Sequence, residues 1–188
     1  MRNLPRVWCA AALVLLAGCA QVAPRDTDMS VAVYVPQFEL VGRLSVRDGQ
    51  RGEFGTLRWQ RTATSQQIIL LSPLGQTVAQ LTQQAGGKAV LLANNETRTA
   101  RTLTDLTRDA LGTAVPIDEL AHWVQGHAQA PGSSRAAVAP ATQFQHAGWR
   151  VEIENYRSVD GSAVAGRVVA IKGDIVVKLV IDEWKALR

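Results

Sequence analysis

Apolar and polar residues alternate along much of this chain, which is the pattern of a β-strand with one buried face. Over residues 38–47 the alternation places Phe38, Leu40, Leu44 and Val46 on one face. Turn-forming pairs such as Asp-Gly, Gly-Gly and Asn-Asn follow several of these runs and predict short connections between antiparallel strands. The remaining predicted strands cover residues 54–60, 67–71, 77–82, 88–93, 96–101, 149–154, 164–171 and 175–181.

The middle of the chain changes to the spacing of α-helices. A first short helix is predicted to end at Gly112, and a second to begin at Pro116 and end at Gly126. The apolar positions on one side of these helices are Leu103, Leu106 and Ala110 for the first, and Ile117, Leu120, Ala121 and Val124 for the second. Residues 128–141, rich in Ala, Gly, Pro and Ser, are predicted to form a loop.

About ten strands interrupted by two short helices predict an α+β fold that is mainly β. We expect a strongly curved sheet or incomplete antiparallel β-barrel, with the helices against its open side. Residues 68–71, 88–93 and 175–181 carry apolar side chains on both faces. Such strands either line a ligand cavity inside the curved sheet or lie at its centre with ordinary core on both sides. Composition alone favours the ordinary core and leaves both interpretations open.

The N-terminus has the organisation of a bacterial lipoprotein signal peptide. Arg2 and Arg6 supply a positive region, and residues 7–16 form an apolar stretch too short to span a bilayer. Leu-Ala-Gly-Cys at 16–19 matches a lipobox, in which cleavage precedes the cysteine and the thiol receives a diacylglycerol. Cys19 is therefore the predicted lipid anchor, since two or more acyl chains hold a protein stably on a membrane.

The residues after Cys19 predict where the protein resides and how its domain is attached. Ala20 stands where lipoproteins kept in the inner membrane often carry Asp, which favours an outer-membrane protein facing the periplasm of a Gram-negative bacterium. The following residues show little periodicity and suit a tether. The predicted organisation is a signal peptide over 1–18, an acylated N-terminus and tether over 19–35, and a single domain over 36–188.

Charge and motif content exclude several classes of function. The 188 residues carry 20 Lys and Arg against 16 Asp and Glu, and 18 against 16 once the signal peptide is removed, which gives no expectation of nucleic-acid binding. His122 and His127 would lie on different faces of one helix, and with His146 they make an improbable metal site. No nucleophile elbow or phosphate-binding loop occurs in the sequence. We therefore predict a protein that is not an enzyme and needs no cofactor.

Several runs of residues, in order along the mature chain, resemble the outer-membrane lipoprotein receptor family LolB. These runs are 38–46, 57–59, 71–75, 78–81, 115–120, 123–126 and 179–184. The resemblance implies an incomplete antiparallel β-barrel, capped by helices, that encloses a hydrophobic cavity for acyl chains. It also implies a monomer that accepts acylated lipoproteins from the periplasmic carrier LolA and inserts them into the inner leaflet of the outer membrane.

The resemblance also assigns roles to particular residues. A leucine on a protruding loop is associated with cargo release in that family, and the matching residue is Leu74. We expect Pro73, Leu74 and Gly75 to form a membrane-insertion loop, although a turn whose leucine packs inward would share this sequence. The residues expected to line the acyl-chain cavity are Leu57, Trp59, Ile69, Leu71, Leu81, Leu91, Trp123, Trp149 and Ile153. Each of them also suits an ordinary hydrophobic core.

Three other functions fit the same sequence. A lipid-anchored carrier of another amphiphile, such as lipopolysaccharide or a phospholipid, would share the anchor and the cavity. A structural or assembly-factor lipoprotein would have a solid core in place of the cavity. A lipid-modifying enzyme would release a covalently altered product.

Overall fold

The computed structural model describes residues 34–49, 51–111, 113–128 and 142–187. The predicted signal peptide, the predicted anchor Cys19, nearly all of the predicted tether and most of the loop predicted over 128–141 lie outside these residues. Within the described part, no helix combines the length and the apolar character needed to cross a bilayer.

Ten antiparallel strands form one open sheet, and two short strands form a separate pair. In chain order the strands are β1 (Phe38–Asp48), β2 (Arg51–Arg61), β3 (Ser65–Leu71), β4 (Thr77–Gln84), β5 (Ala89–Ala93), β6 (Glu96–Ala100), β7 (Gln143–His146), β8 (Trp149–Glu154), β9 (Arg157–Val159), β10 (Ser162–Val164), β11 (Arg167–Lys172) and β12 (Ile175–Ala186). The order across the large sheet is β6-β5-β4-β3-β2-β1-β12-β11-β8-β7, and β9 pairs with β10. Because β6 and β7 are edge strands that do not pair with each other, the barrel is incomplete.

Strands β1 and β12 bring the two ends of the domain together at the centre of the sheet. Leu44 lies opposite Leu179, and the register shifts between Val41 and Gly42. A Cβ on Gly42 would lie 2.3 Å from the backbone oxygen of Val180, so a glycine is required for this close approach. An irregularity of this kind increases the local twist and helps the sheet to curve.

Two short helices cover one face of the sheet, which we call the inner face. The helices are α1 (Leu103–Leu111) and α2 (Ile117–Trp123), and α1 packs against α2 and against strands β4, β5 and β6. The Thr102 hydroxyl caps α1 by accepting a hydrogen bond from the Asp105 N–H at 3.1 Å. Beyond α2, the His127 N–H donates to the His122 carbonyl and Gly126 adopts a φ of 76°, which is the geometry of a Schellman cap.

The inner face and the helices bury a continuous hydrophobic core. Across five neighbouring strands, Leu40, Trp59, Ile68, Leu81 and Leu91 lie directly opposite one another, and all are buried. Side chains directly opposite in an antiparallel sheet project from the same face. This row therefore identifies which residues of each strand point into the interior.

The predicted fold class is confirmed, since the structure is mainly β with two short helices and an open antiparallel barrel. The strand predicted over 164–171 is present but begins three residues later, since β10 ends at Val164 and β11 begins at Arg167. Between them a Cβ on Gly166 would lie 2.6 Å from the backbone oxygen of Asn155, and the Gly166 N–H donates to that oxygen. The chain therefore changes direction between β10 and β11, where Gly166 passes close to Asn155. The pattern also missed the short strands β7, β9 and β10.

Candidate functional site

Seven of the nine residues predicted to line the interior are buried in it. Leu57 and Trp59 alternate along β2 with outward-facing residues. The Trp123 ring, carried by α2, lies 6.2 Å from the Trp149 ring of β8, so this helix packs against that strand. The seven residues are Leu57, Trp59, Leu81, Leu91, Trp123, Trp149 and Ile153.

Ile69 and Leu71 lie on the outer face of β3, which contradicts the prediction that they line the interior. Ile69 is opposite Arg58, whereas its neighbour Ile68 is opposite the buried Trp59. Leu71 is two residues along from Ile69 and shares its face. Because every residue of this run is apolar, alternation could not indicate which pair points inward. The pairing partners on β2 give that information.

Side chains of the two helices fill the interior in this structure. Leu103 and Leu106 of α1 and Ile117 and Leu120 of α2 are all buried against the inner face. The apolar walls therefore contact helix side chains, and the structure represents a closed form.

Two pockets in the described part of the chain lie away from this interior. One, of about 160 Å³, is lined by residues 61–66 and 83–86. The other, of about 310 Å³, is lined by residues 86–88 and 99–101. Neither is lined by any of the seven interior residues, and both lie where strands end and turns begin.

Two polar contacts connect the helical segment to the strands. The Thr113 hydroxyl, in the connection between the helices, donates to the carboxylate of Asp48 at the end of β1. The Gln66 amide of β3 donates to the carboxylate of Asp118 in α2 at 2.9 Å. Both contacts are only partly buried, so water can replace them at modest cost.

Gln125, just beyond α2, fastens the N-terminal segment to this helix. Its side chain is 1% exposed. The Oε1 atom accepts the Val35 N–H at 2.7 Å, while Nε2 donates to the Val35 carbonyl at 2.9 Å and to the Ala121 carbonyl at 3.3 Å. The segment into which the predicted tether leads is thereby held by both backbone groups of one residue. We call this contact the Gln125 clamp.

Tyr34 and two histidines pack beside the clamp. The Tyr34 ring centre is 5.2 Å from that of His122 and 5.6 Å from that of His127. The helix ends before Gly126, which was predicted to close it, and the chain turns back so that both histidines pack against the Tyr34 ring. Burial, and then repulsion from Arg61, lowers the pKa of His122 to about 4, and burial lowers the pKa of His127. Among the described residues no group of His, Cys, Asp and Glu could hold a metal ion.

The loop between β3 and β4 presents Leu74 to solvent. The Gly75 N–H donates to the Ser72 carbonyl at 2.8 Å, and the Ser72 N–H donates to the Gln76 carbonyl at 2.8 Å. Pro73 suits the first central position of such a turn, and Gly75 adopts a φ of 80° at its end. Leu74 is 88% exposed, so the alternative in which it packs inward is excluded in this structure.

The open antiparallel sheet whose inner face is covered by two short helices is a LolA-like fold. A solved structure of a LolA superfamily protein from Nitrosomonas europaea aligns with a TM-score of 0.52, over 85% of this chain and 90% of that chain. The sequence identity is 8%, so this likeness shows the shared fold alone.

The family model described as outer membrane lipoprotein LolB matches residues 36–184. A protein from Azoarcus sp. strain BH72, named outer-membrane lipoprotein LolB, is 33% identical over the whole of both chains. A protein of the same name from Thiobacillus denitrificans is 33% identical over 91% of this chain and 92% of its own. The chain belongs to the LolB family, as its motifs predicted.

Proposed function

We propose that the protein is an outer-membrane receptor that accepts acylated lipoproteins from a LolA-type periplasmic carrier and delivers them to the inner leaflet of the outer membrane. Its membership of the LolB family supports this proposal. The observation that carries it is the buried apolar surface between the inner face and two short helices. Such a surface can exchange helix side chains for acyl chains without exposing much apolar area to water.

Acceptance of an acyl chain requires the helices to leave the inner face, because helix side chains fill the interior in the closed form. The Thr113–Asp48 and Gln66–Asp118 hydrogen bonds must break. Each such bond contributes only about 0.5–1.5 kcal/mol. The apolar residues uncovered by the helices are then covered by the acyl chains, which offsets most of the remaining cost.

The energetics of the cargo explain why a protein of this kind is needed. Three acyl chains of about fifteen methylenes, at about 0.8 kcal/mol for each methylene, give an upper limit of roughly 36 kcal/mol for exposure to water. Free passage across the periplasm is therefore negligible. Transfer from one apolar interior to the next needs no covalent step, so the proposed role requires no catalytic residue, metal or cofactor.

The membrane end of the proposed role rests on two features. Acylation of Cys19 would anchor the chain, and the tether would let a monomeric domain reach both the carrier and the bilayer. Leu74, held outward by the Pro73–Gly75 turn, would enter the membrane when cargo is released. Burial of one leucine contributes about 1.5–3 kcal/mol, which is sufficient for a reversible contact.

A reconstituted transfer assay tests this proposal. The lipid-anchored full chain is placed in phospholipid vesicles, and an acylated lipoprotein bound to its soluble carrier is added. Capture is measured by photo-crosslinking of cargo to the protein, and delivery by cargo that floats with the vesicles and no longer crosslinks. Leu74→Glu should capture cargo normally and deliver it about 10- to 100-fold more slowly. Leu92→Glu is the matched control, since Leu92 is also exposed but lies on β5 outside the loop.

Two results of this assay would contradict the proposal. Normal delivery by Leu74→Glu would remove the membrane role of the loop. Failure of the unaltered protein to take cargo from the carrier would contradict the receptor function itself and would favour a carrier of another amphiphile.

The filled interior also suits an assembly-factor lipoprotein with a solid core, which is the second candidate. A fluorescent apolar probe distinguishes the two functions. Binding that a fatty acid displaces requires the helices to separate from the inner face and supports the receptor. A protein that never binds the probe favours the assembly factor.

A further inference from the structure

Phe54 is a large aromatic side chain that the fold leaves 74% exposed. Leu57 and Trp59 of the same strand point inward. Because side chains alternate between the two faces along a strand, and Phe54 is an odd number of residues from both, Phe54 points to the outer face. Strands β2 and β3 pair as far as Thr56 opposite Leu71, and the exposed loop follows directly after Leu71. Phe54 is two residues beyond Thr56 in the same direction, which places it beside that loop.

Leu74 and Val78 continue the exposed apolar surface around Phe54. Val78 is the extra residue of a β-bulge in β4. Its neighbours Ala79 and Thr77 pair with the consecutive residues Leu70 and Leu71 of β3. Val78 is 47% exposed. We call Phe54, Leu74 and Val78 the rim patch. Several large apolar side chains exposed together on a folded domain mark an interaction surface.

Basic side chains lie beside the rim patch on the same face. Ser45 is opposite Phe54, so Arg47, two residues further along β1, is its diagonal neighbour at about 7–8 Å. Lys178 is opposite Ser45 on its other side, about 10 Å from Phe54 across two strand spacings. Both basic side chains are exposed, and no ion pair among the described residues includes either of them.

We propose that Phe54 inserts into the bilayer beside Leu74, while Arg47 and Lys178 bind the phosphates of anionic phospholipid headgroups. This inference rests on the proposed membrane role of Leu74. The apolar tips can enter the hydrocarbon region, and the long basic side chains can keep their charged ends at headgroup level. The acidic Asp182 on the same face does not oppose this, because it is already ion-paired at 2.9 Å.

Site-specific fluorescence in the lipid-anchored full chain tests the inference. An environment-sensitive dye is attached to Phe54→Cys, Leu74→Cys or Ala85→Cys, and each protein is placed in vesicles. Cys9 and Cys19 are the only cysteines of the sequence, the first in the predicted signal peptide and the second predicted to be acylated. Ala85 is the control position, because it is exposed in a turn at the opposite end of the sheet.

Dye emission should shift to the blue at positions 54 and 74, and not at 85, in phosphatidylcholine vesicles that contain phosphatidylglycerol. Removal of phosphatidylglycerol should reverse the shift at 54. Arg47→Gln and Lys178→Gln should each lower the ratio of domains docked on the vesicle surface to anchored but undocked domains. The expected decrease is about fivefold, as for a basic residue near an anionic surface. The control variants Lys88→Gln and Lys185→Gln each remove one positive charge from the opposite end of the sheet and should each leave the ratio unchanged.

Each contrary outcome overturns a defined claim. A shift at 74 without one at 54 overturns this inference and leaves the proposed function in place, whereas a shift at neither position overturns both. A shift at 54 that is equal in neutral vesicles and in the Arg47→Gln and Lys178→Gln proteins overturns the phosphate contacts. A shift at 54 only after loaded carrier is added identifies a protein partner and overturns membrane insertion.

Discussion

Replacement of Gln125 by alanine tests how firmly the N-terminal segment is held to α2. The change removes two hydrogen bonds to the Val35 backbone and one to the Ala121 carbonyl. It also shortens a side chain that is almost fully buried. The clamp joins residues that are 90 positions apart in the sequence, so its loss should destabilise the N-terminal segment as well as the end of α2.

The expected loss follows from these contacts. Val35 is only partly buried, so water can replace the lost partners, and each of its two hydrogen bonds contributes about 0.5–1.5 kcal/mol. The one buried methylene that the change removes, Cγ, adds about 0.8 kcal/mol. We therefore expect Gln125→Ala to lower the free energy of unfolding by about 2–4 kcal/mol.

Urea denaturation combined with amide hydrogen exchange measures this effect. Gln125→Met preserves the side-chain volume and removes the hydrogen bonds, so its loss should equal the hydrogen-bond share alone. Both variants should expose the Val35 amide to faster exchange. Gln143→Ala makes the same change as Gln125→Ala on an exposed edge strand and should stay within about 0.5 kcal/mol of the unaltered protein.

One result would refute this reasoning. If Gln125→Ala unfolds within about 0.5 kcal/mol of the unaltered protein, and the Val35 amide remains equally protected, the clamp does not hold the N-terminal segment.

Two further predictions concern acid stability and the centre of the sheet. The pKa of His122 is lowered to about 4 by burial and by Arg61, against about 6.5 when unfolded, so stability is full above pH 6.5 and falls as the pH drops toward 4. Because the side chain is only partly buried, we expect His122 to contribute about 1–2 kcal/mol to the stability lost between pH 7 and pH 4. In denaturation experiments at these two pH values, the loss should be smaller by that amount in His122→Gln. Gly42→Ala should lower the free energy of unfolding by more than about 2 kcal/mol, because the new Cβ would meet the Val180 oxygen. Gly52→Ala, whose Cβ would lie 3.7 Å from its nearest neighbour, should change stability little, and equal losses would contradict this account.

The sequence predicted most of the strands because one-sided burial leaves a period-two pattern. Leu57 and Trp59 were placed correctly on a buried face, since polar residues alternate with them. The same method failed for Ile69 and Leu71, where the run is apolar throughout. Their orientation depends on which residue of β2 lies opposite, and that register is set by long-range pairing.

The Gln125–Val35 contact and the exposure of Phe54 could not be predicted from the sequence, because they too depend on long-range pairing. Gln125 reads as a polar residue at the end of a helix, and nothing near it in the sequence indicates a partner at Val35. Phe54 was read only as the start of a strand, because its exposure depends on where β3 stops and the loop begins. By contrast, Pro73 and Gly75 have local conformational preferences, so the turn that exposes Leu74 could be predicted from the sequence.

The Gln125 clamp would also set the length of the proposed tether, because it fixes the chain to the end of α2 at Val35. Val35 follows the proposed anchor Cys19 by sixteen positions, which would keep the clamped residue within about 55 Å of its attachment point. One molecule confined to that hemisphere experiences the bilayer at an effective concentration of a few millimolar. A membrane contact of only millimolar affinity is then half occupied. A few exposed side chains would therefore be enough to hold the domain at the surface, and so weak a contact would also let it dissociate quickly.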